Sequence, residues 1–272
     1  MNKKALIVFS AILVAILVLG GYLKYSNITR EVDEKASAGK GIPVFMYHHF
    51  QRDVPANLKD TVITPEEFED HLRTLKENGY TSISYYEYYQ YVKGTGKIPE
   101  KAFILTIDDG YTSNYTEAFP LLKKYNTKAA ISIVTSTVGK TPGAFPHFTW
   151  EQAKEMESSG LVEIYNHTLD HRTCDSMAKD ELIKNATEAQ TDIEKNLGKR
   201  SVKVFTYPEG KFTEENRRLI QDLGFDIQVT VAKGLVNRNT PLNDIKRINV
   251  GHGMSGKDVI SLITRLQSET KE

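Results

Sequence analysis

The sequence predicts an α/β fold, a (β/α) barrel of about seven units with one unit missing or distorted; a doubly wound open sheet is the alternative. Three observations lead there. Apolar strand-like runs alternate with helix-patterned runs from residue 42 to residue 267. No glycine-rich phosphate loop follows the first run, which weakens a nucleotide-binding reading. No internal repeat of roughly 20–50 residues is visible.

The elements follow in order. Residues 42–50, IPVFMYHHF, form an apolar run ending in histidines. Residues 65–78 carry Pro65 near the start, acids in the first turn and Gly79 just after, the start and stop signals of a helix. TSIS (81–84) is a short strand candidate. The tyrosine-rich run 85–91 reads as a helix whose aromatic face packs on the barrel, rather than as a sugar-stacking platform. Residues 102–110, AFILTIDDG, read as a buried strand ending in acids and a glycine. Helix is expected over 113–125, strand over 128–134, and helix over 149–159 before Gly160. Strand over 161–168 precedes a long helix over 178–197 before Gly198. Strand over 202–208, helix over 213–223, strand over 225–231 and a last helix over 255–267 complete the pattern.

Ahead of this domain, residues 5–23 carry no charge and follow Lys3 and Lys4. A helix of that length rises about 28 Å, close to the hydrocarbon thickness. The leading lysines favour the cytoplasmic side, so the rest of the chain is expected outside. An uncleaved transmembrane anchor over 1–23 is favoured over a cleaved signal, because the run is long and no clear A-x-A site follows. A cell-membrane location is expected, with secretion after cleavage as the alternative. Residues 24–40 read as a polar linker, and 41–272 as the functional domain.

Charge narrows the partners. The chain has 35 basic and 35 acidic residues, and its first 30 residues hold four bases and no acid. The remainder is mildly acidic, which argues against nucleic acid. Cys174 is the one cysteine, so a disulfide framework and a multi-cysteine metal site are excluded.

Chemistry concentrates at the ends of three expected strands, where a barrel places its site. Thr106-Ile107-Asp108-Asp109-Gly110 puts adjacent carboxylates at a strand mouth, where a metal ion would offset their repulsion; a solvated Asp-Gly turn is the plainer reading. Asn166-His167-Thr168-Leu169-Asp170-His171 brings two imidazoles within reach of one ion. With Asp109 they make a two-histidine, one-carboxylate set that leaves coordination positions open. Thr206-Tyr207-Pro208-Glu209-Gly210 reads as a turn that can aim backbone N–H groups into the mouth.

TIDDGY, NHTLDH and FTYPEG, in that order, resemble the polysaccharide deacetylases of carbohydrate esterase family 4. IPVFMYHHF and TPEEFEDHLRTLKENGY resemble the branch of secreted biofilm poly-N-acetylglucosamine deacetylases. The resemblance covers residues 42 to about 265 and implies a distorted (β/α) barrel with a divalent metal, zinc by default and cobalt or nickel as alternatives. By resemblance, Asp108 is the general base and Asp109, His167 and His171 are metal ligands. The Glu209 backbone N–H lies at the oxyanion hole, and His48 is the general acid, with His252 as the alternative acid. Many members carry an arginine where Thr206 stands, which leaves open what orients the base here.

The implied function is removal of N-acetyl groups from a β-linked N-acetylglucosamine polymer, poly-N-acetylglucosamine favoured. A peptidoglycan or chitooligosaccharide N-deacetylase, or an O-acetyl esterase, would use the same site. A non-catalytic glycan-binding module is the alternative of another class. No nucleotide is expected as a partner.

Overall fold

The computed structural model describes residues 41–269. The expected membrane segment and linker lie outside the described residues. Among the described residues no helix is long and apolar enough to cross a membrane.

In chain order the strands are β1 (Ile42–Tyr47), β2 (His49–Phe50), β3 (Val62–Ile63), β4 (Thr81–Ser82), β5 (Ala102–Asp109), β6 (Ala129–Ile133), β7 (Val162–Asn166), β8 (Val204–Thr206), β9 (Ile227–Lys233), β10 (Leu235–Val236) and β11 (Ile245–Asn249). The helices are α1 (Pro65–Glu77), α2 (Tyr85–Val92), α3 (Phe119–Tyr125), α4 (Trp150–Ser158), α5 (Lys179–Leu197), α6 (Glu214–Asp222) and α7 (Gly256–Glu269). Strands β1, β5, β6, β7, β8, β9 and β11 pair in parallel in that cyclic order, and β11 returns to β1. The result is a closed seven-stranded (β/α) barrel.

Period-two alternation sorts the side chains. One set, including Val44, Ile104, Ala130, Val204 and Val229, fills the interior. The other, including Phe45, Leu105, Ile131 and Ile164, packs outward in one cluster with Leu72 and Leu75 of α1 and Met156 of α4. Higher in the interior the layer becomes polar. Ser132 of β6 and Thr206 of β8 share a hydrogen bond across the barrel at 2.7 Å.

Seven staves match the expected count, but one stave differs. TSIS supplies only the two-residue β4, which pairs with the start of β5 at Thr81↔Ala102. The helix after it, α2, inserts Tyr85 and Tyr88 among the interior residues and closes the lower end of the barrel. The seventh stave is β11, in a stretch the sequence reading leaves unassigned. The expected helix over 113–125 is split. Asn114–Ala118 form a π-turn ahead of α3, with Pro120, which has no N–H to donate, next to the junction.

Candidate active site

The upper ends of the staves converge on a cavity of about 300 Å³ lined by His48, Asp108, Asp109, His167, His171, Glu209, Tyr207, Val231 and Arg247, among others. Asp108 is the last inward residue of β5. As strand neighbours, Asp108 and Asp109 should face opposite sides. A φ of 76° at Asp109 breaks the alternation, and both line the cavity. Thr168, His171 and Glu209 also have positive φ, so four of the five such non-glycine residues described lie here. Backbone strain of this kind costs on the order of 1–3 kcal/mol per residue and gathers at functional sites.

Asp109, His167 and His171 form one group whose ligand atoms lie within 4.8 Å of one another. The His167 Nε2 is 3.5 Å from Asp109 Oδ1, and the His171 Nε2 is 3.4 Å away. His167 Nδ1–H donates to the Thr206 carbonyl at 2.8 Å, which leaves the Nε2 lone pair facing Asp109. Asp109 Oδ1 is buried and accepts no hydrogen bond. An imidazole lone pair aimed at a carboxylate oxygen without a proton between them is repulsive unless a cation sits there. The donor set therefore fits a divalent ion, with nitrogen and oxygen ligands suited to zinc, cobalt or nickel.

Asp108 is 2% exposed and is gripped by Arg247, which donates from Nη1 to Oδ1 at 2.9 Å and from Nη2 to Oδ2 at 2.8 Å. Arg247 is itself fixed by Nε donating to the Thr230 carbonyl at 2.8 Å and Nη1 to Thr106 Oγ1 at 3.1 Å. Burial raises the Asp108 carboxyl, and Arg247, His167 and His48 more than offset it, so it stays ionised. Arg247 is what orients Asp108: the arginine comes from β11 instead of position 206. Sequence reasoning missed it because the inward positions of β11 are Ile245, Arg247 and Asn249, an alternation without an apolar signal.

His48 follows β1, with Nε2 4.0 Å from Asp108 Oδ2 and a buried Nδ1 that has no hydrogen-bond partner. Its carbonyl accepts from Asn114 Nδ2 at 2.7 Å, so the π-turn before α3 fastens the backbone that carries it. Burial lowers its pKa, partly countered by Asp109 and Asp108. His49 points elsewhere, toward Ser113 Oγ at 2.8 Å and stacked on Phe145. Glu209 sits in the turn Pro208–Gly210; its carboxylate pairs outward with Lys211 Nζ at 2.6 Å. His252 is not brought to the cavity. Its Nδ1 bonds Glu67 Oε2 at 2.9 Å, and Glu67 also receives the backbone N–H groups of Thr64 and Gly253. Cys174 lies in a separate apolar cluster, where burial pushes its thiol up to about 12.

A polar, strained, two-histidine, one-carboxylate mouth beside an arginine-held aspartate defines a hydrolytic site on a (β/α) barrel. The family described as polysaccharide deacetylase matches residues 95–227. YxkH of Bacillus subtilis (strain 168), whose name places it among the polysaccharide deacetylases, is 31% identical over 215 residues, 79% of this chain and 73% of that protein. The chain belongs to this family, whose members are hydrolases acting on carbon–nitrogen bonds of polysaccharides. The poly-β-1,6-N-acetyl-D-glucosamine N-deacetylase of Escherichia coli (strain K12) is 24% identical over 269 residues, 85% of this chain but 40% of that protein. The deacetylase PplD of Streptococcus pyogenes shares the fold with a TM-score of 0.74, at 24% identity over 82% of this chain and 98% of that one.

Proposed function

We propose that the chain is an extracytoplasmic, metal-dependent N-deacetylase of a β-linked N-acetylglucosamine polymer, poly-β-1,6-N-acetylglucosamine before peptidoglycan or chitin-like chains. The observation that carries this is the open Asp109–His167–His171 set beside Asp108 in one cavity. The relatives named for poly-N-acetylglucosamine support the polymer, and the uncharged run 5–23 behind Lys3 and Lys4 supports the location at the membrane.

A divalent cation held by Asp109, His167 and His171 would supply Lewis acidity to the attacking water and the acetamide carbonyl. Asp108, ionised and fixed by Arg247, accepts the proton of that water. The Glu209 N–H donates to the oxyanion of the tetrahedral intermediate. His48 donates a proton to the departing amine, which cannot leave as an anion. The carbon–nitrogen bond breaks to give acetate and a glucosamine unit. The proton taken up by Asp108 then returns to His48 through water, which restores both groups for the next turnover.

The test is acetate release by the full chain from poly-β-1,6-N-acetylglucosamine, chitin oligomers and peptidoglycan side by side. Release is expected to be fastest from the first. Faster release from either of the others would overturn the polymer assignment, and no release from any would overturn the activity.

A further inference from the structure

A second cavity lies away from the mechanism. At the lower end of the barrel, about 380 Å³ is enclosed by the start of α2, the first half of β7, the end of α4 and residues 199–202. Its size suits a small-molecule site.

Two carboxylates, Glu157 and Glu163, line it, and Glu87 is near enough to act on Glu163; Glu157 and Glu87 have their cations. Glu157 is paired with Arg200, whose side chain is 11% exposed and also donates to the Leu197 carbonyl at 2.6 Å. Glu87 is paired with Lys128 Nζ at 2.7 Å. Glu163, on the cavity wall, has no lysine or arginine within 4.0 Å among the described residues. It accepts from Tyr165 Oη–H at 2.9 Å, with the Tyr85 backbone N–H also against it. Burial raises its pKa, and the repulsion of Glu87 and Glu157 adds to that. A partly buried carboxylate without a counter-ion, facing open space, is the natural seat of a cation.

Another lining residue says which kind of cation. Tyr86 is 43% exposed, one of two large apolar side chains so exposed among the described residues, although Tyr85 and Tyr88 on the same helix are fully buried. Tyr86 lines the cavity together with Glu163, Lys199 and Arg200. A flat aromatic face beside a carboxylate matches a sugar ring that carries an ammonium group: the ring's C–H face lies on the tyrosine and the ammonium meets the acid.

We infer that this cavity is a second saccharide site, selective for glucosamine units over N-acetylglucosamine units, with Glu163 as the ammonium acceptor and Tyr86 as the platform. The ligand class rests on the deacetylase reading, because that reaction turns one unit into the other. The site would hold the deacetylated polymer to the enzyme at the end of the barrel opposite the chemistry.

Titration calorimetry of the full chain with glucosamine, N-acetylglucosamine and methylamine tests this. Glucosamine is expected to bind at least about tenfold tighter than either of the others. Glu163→Gln should remove that preference and Tyr86→Ala should weaken binding, both with acetate release from the polymer unchanged at saturation. Glucosamine binding should persist in Asp109→Ala. Binding lost in Asp109→Ala and kept in Glu163→Gln would place the ligand in the catalytic cavity and overturn the proposal. Equal affinity for glucosamine and N-acetylglucosamine, or no binding of either, would also overturn it. Methylamine binding as tightly as glucosamine would overturn the sugar assignment. Acetate release reports the deacetylase reading separately.

Discussion

Asp108 and Asp109 are adjacent residues that the fold gives different partners. One takes a guanidinium; the other takes two imidazoles. Asp108→Asn is expected to lower acetate release by about 10²–10⁴-fold, with bound metal unchanged by elemental analysis. A variant within a few-fold of wild type would remove Asp108 as the base. Arg247→Leu leaves a buried carboxylate alone, a change that costs about 3–5 kcal/mol in denaturant unfolding. It also releases Asp108 upward, so the acid limb of the kcat/KM–pH profile is expected to move to higher pH. A lower stability with an unmoved profile would make Arg247 purely structural.

His71 gives a pH prediction away from the metal ligands. It is fully buried, with Nε2–H donating to the Met254 carbonyl at 2.7 Å and Nδ1 accepting from Tyr47 Oη–H at 3.2 Å. Burial holds its pKa below the ordinary imidazole value despite the Met254 carbonyl. The unfolded chain therefore binds a proton at a pH where the native chain does not, and stability falls as pH drops below about 6.5. His71→Gln is expected to shrink the fall in Tm between pH 7 and pH 5. An unchanged fall would assign the acid sensitivity to other groups.

At the scale of elements, the turn Pro208–Gly210 sets the Glu209 N–H. Gly210 has a φ of +65°, and a Cβ there would come within 2.2 Å of Val231 Cγ2. Gly210→Ala must therefore shift the turn. Displacing the proposed oxyanion donor is expected to lower kcat by about 10–10²-fold with little change in KM. Equal loss in kcat and stability-limited yield, with the remaining folded enzyme fully active, would contradict that role. The same scale separates the elements legible in sequence from those that were not. Helix α1 announces itself through Pro65 in its first turn and the capping box of Thr64 and Glu67. β5 announces itself through an unbroken apolar run. β4 was readable as a strand but not as a strand outside the barrel, because two residues carry no information about which edge they join. β11 was not readable, because Arg247 and Asn249 leave Ile245 as the one apolar residue on its inward face and a bulge interrupts its pairing with β9.

Across the whole molecule, the order of motifs was legible because each motif ends a strand, and a closed parallel barrel brings all such ends to one rim; the count of seven holds because the unread β11 takes the place of β4. That convergence placed His48, Asp108, Asp109, His167, His171 and Glu209 around one cavity from positions up to 161 residues apart in sequence. It left out His252, which is near β11 in sequence but turned toward the start of α1 by Glu67. Arg247 remained hidden until the seventh stave was in place.

The most direct test of the metal-dependent deacetylase assignment is acetate release from poly-β-1,6-N-acetylglucosamine by the full chain, stripped of metal with a chelator and titrated with zinc. Release is expected to stop on chelation and to return in full at one equivalent of zinc, with no return in Asp109→Ala. Undiminished release after chelation, or full release from Asp109→Ala, would contradict it.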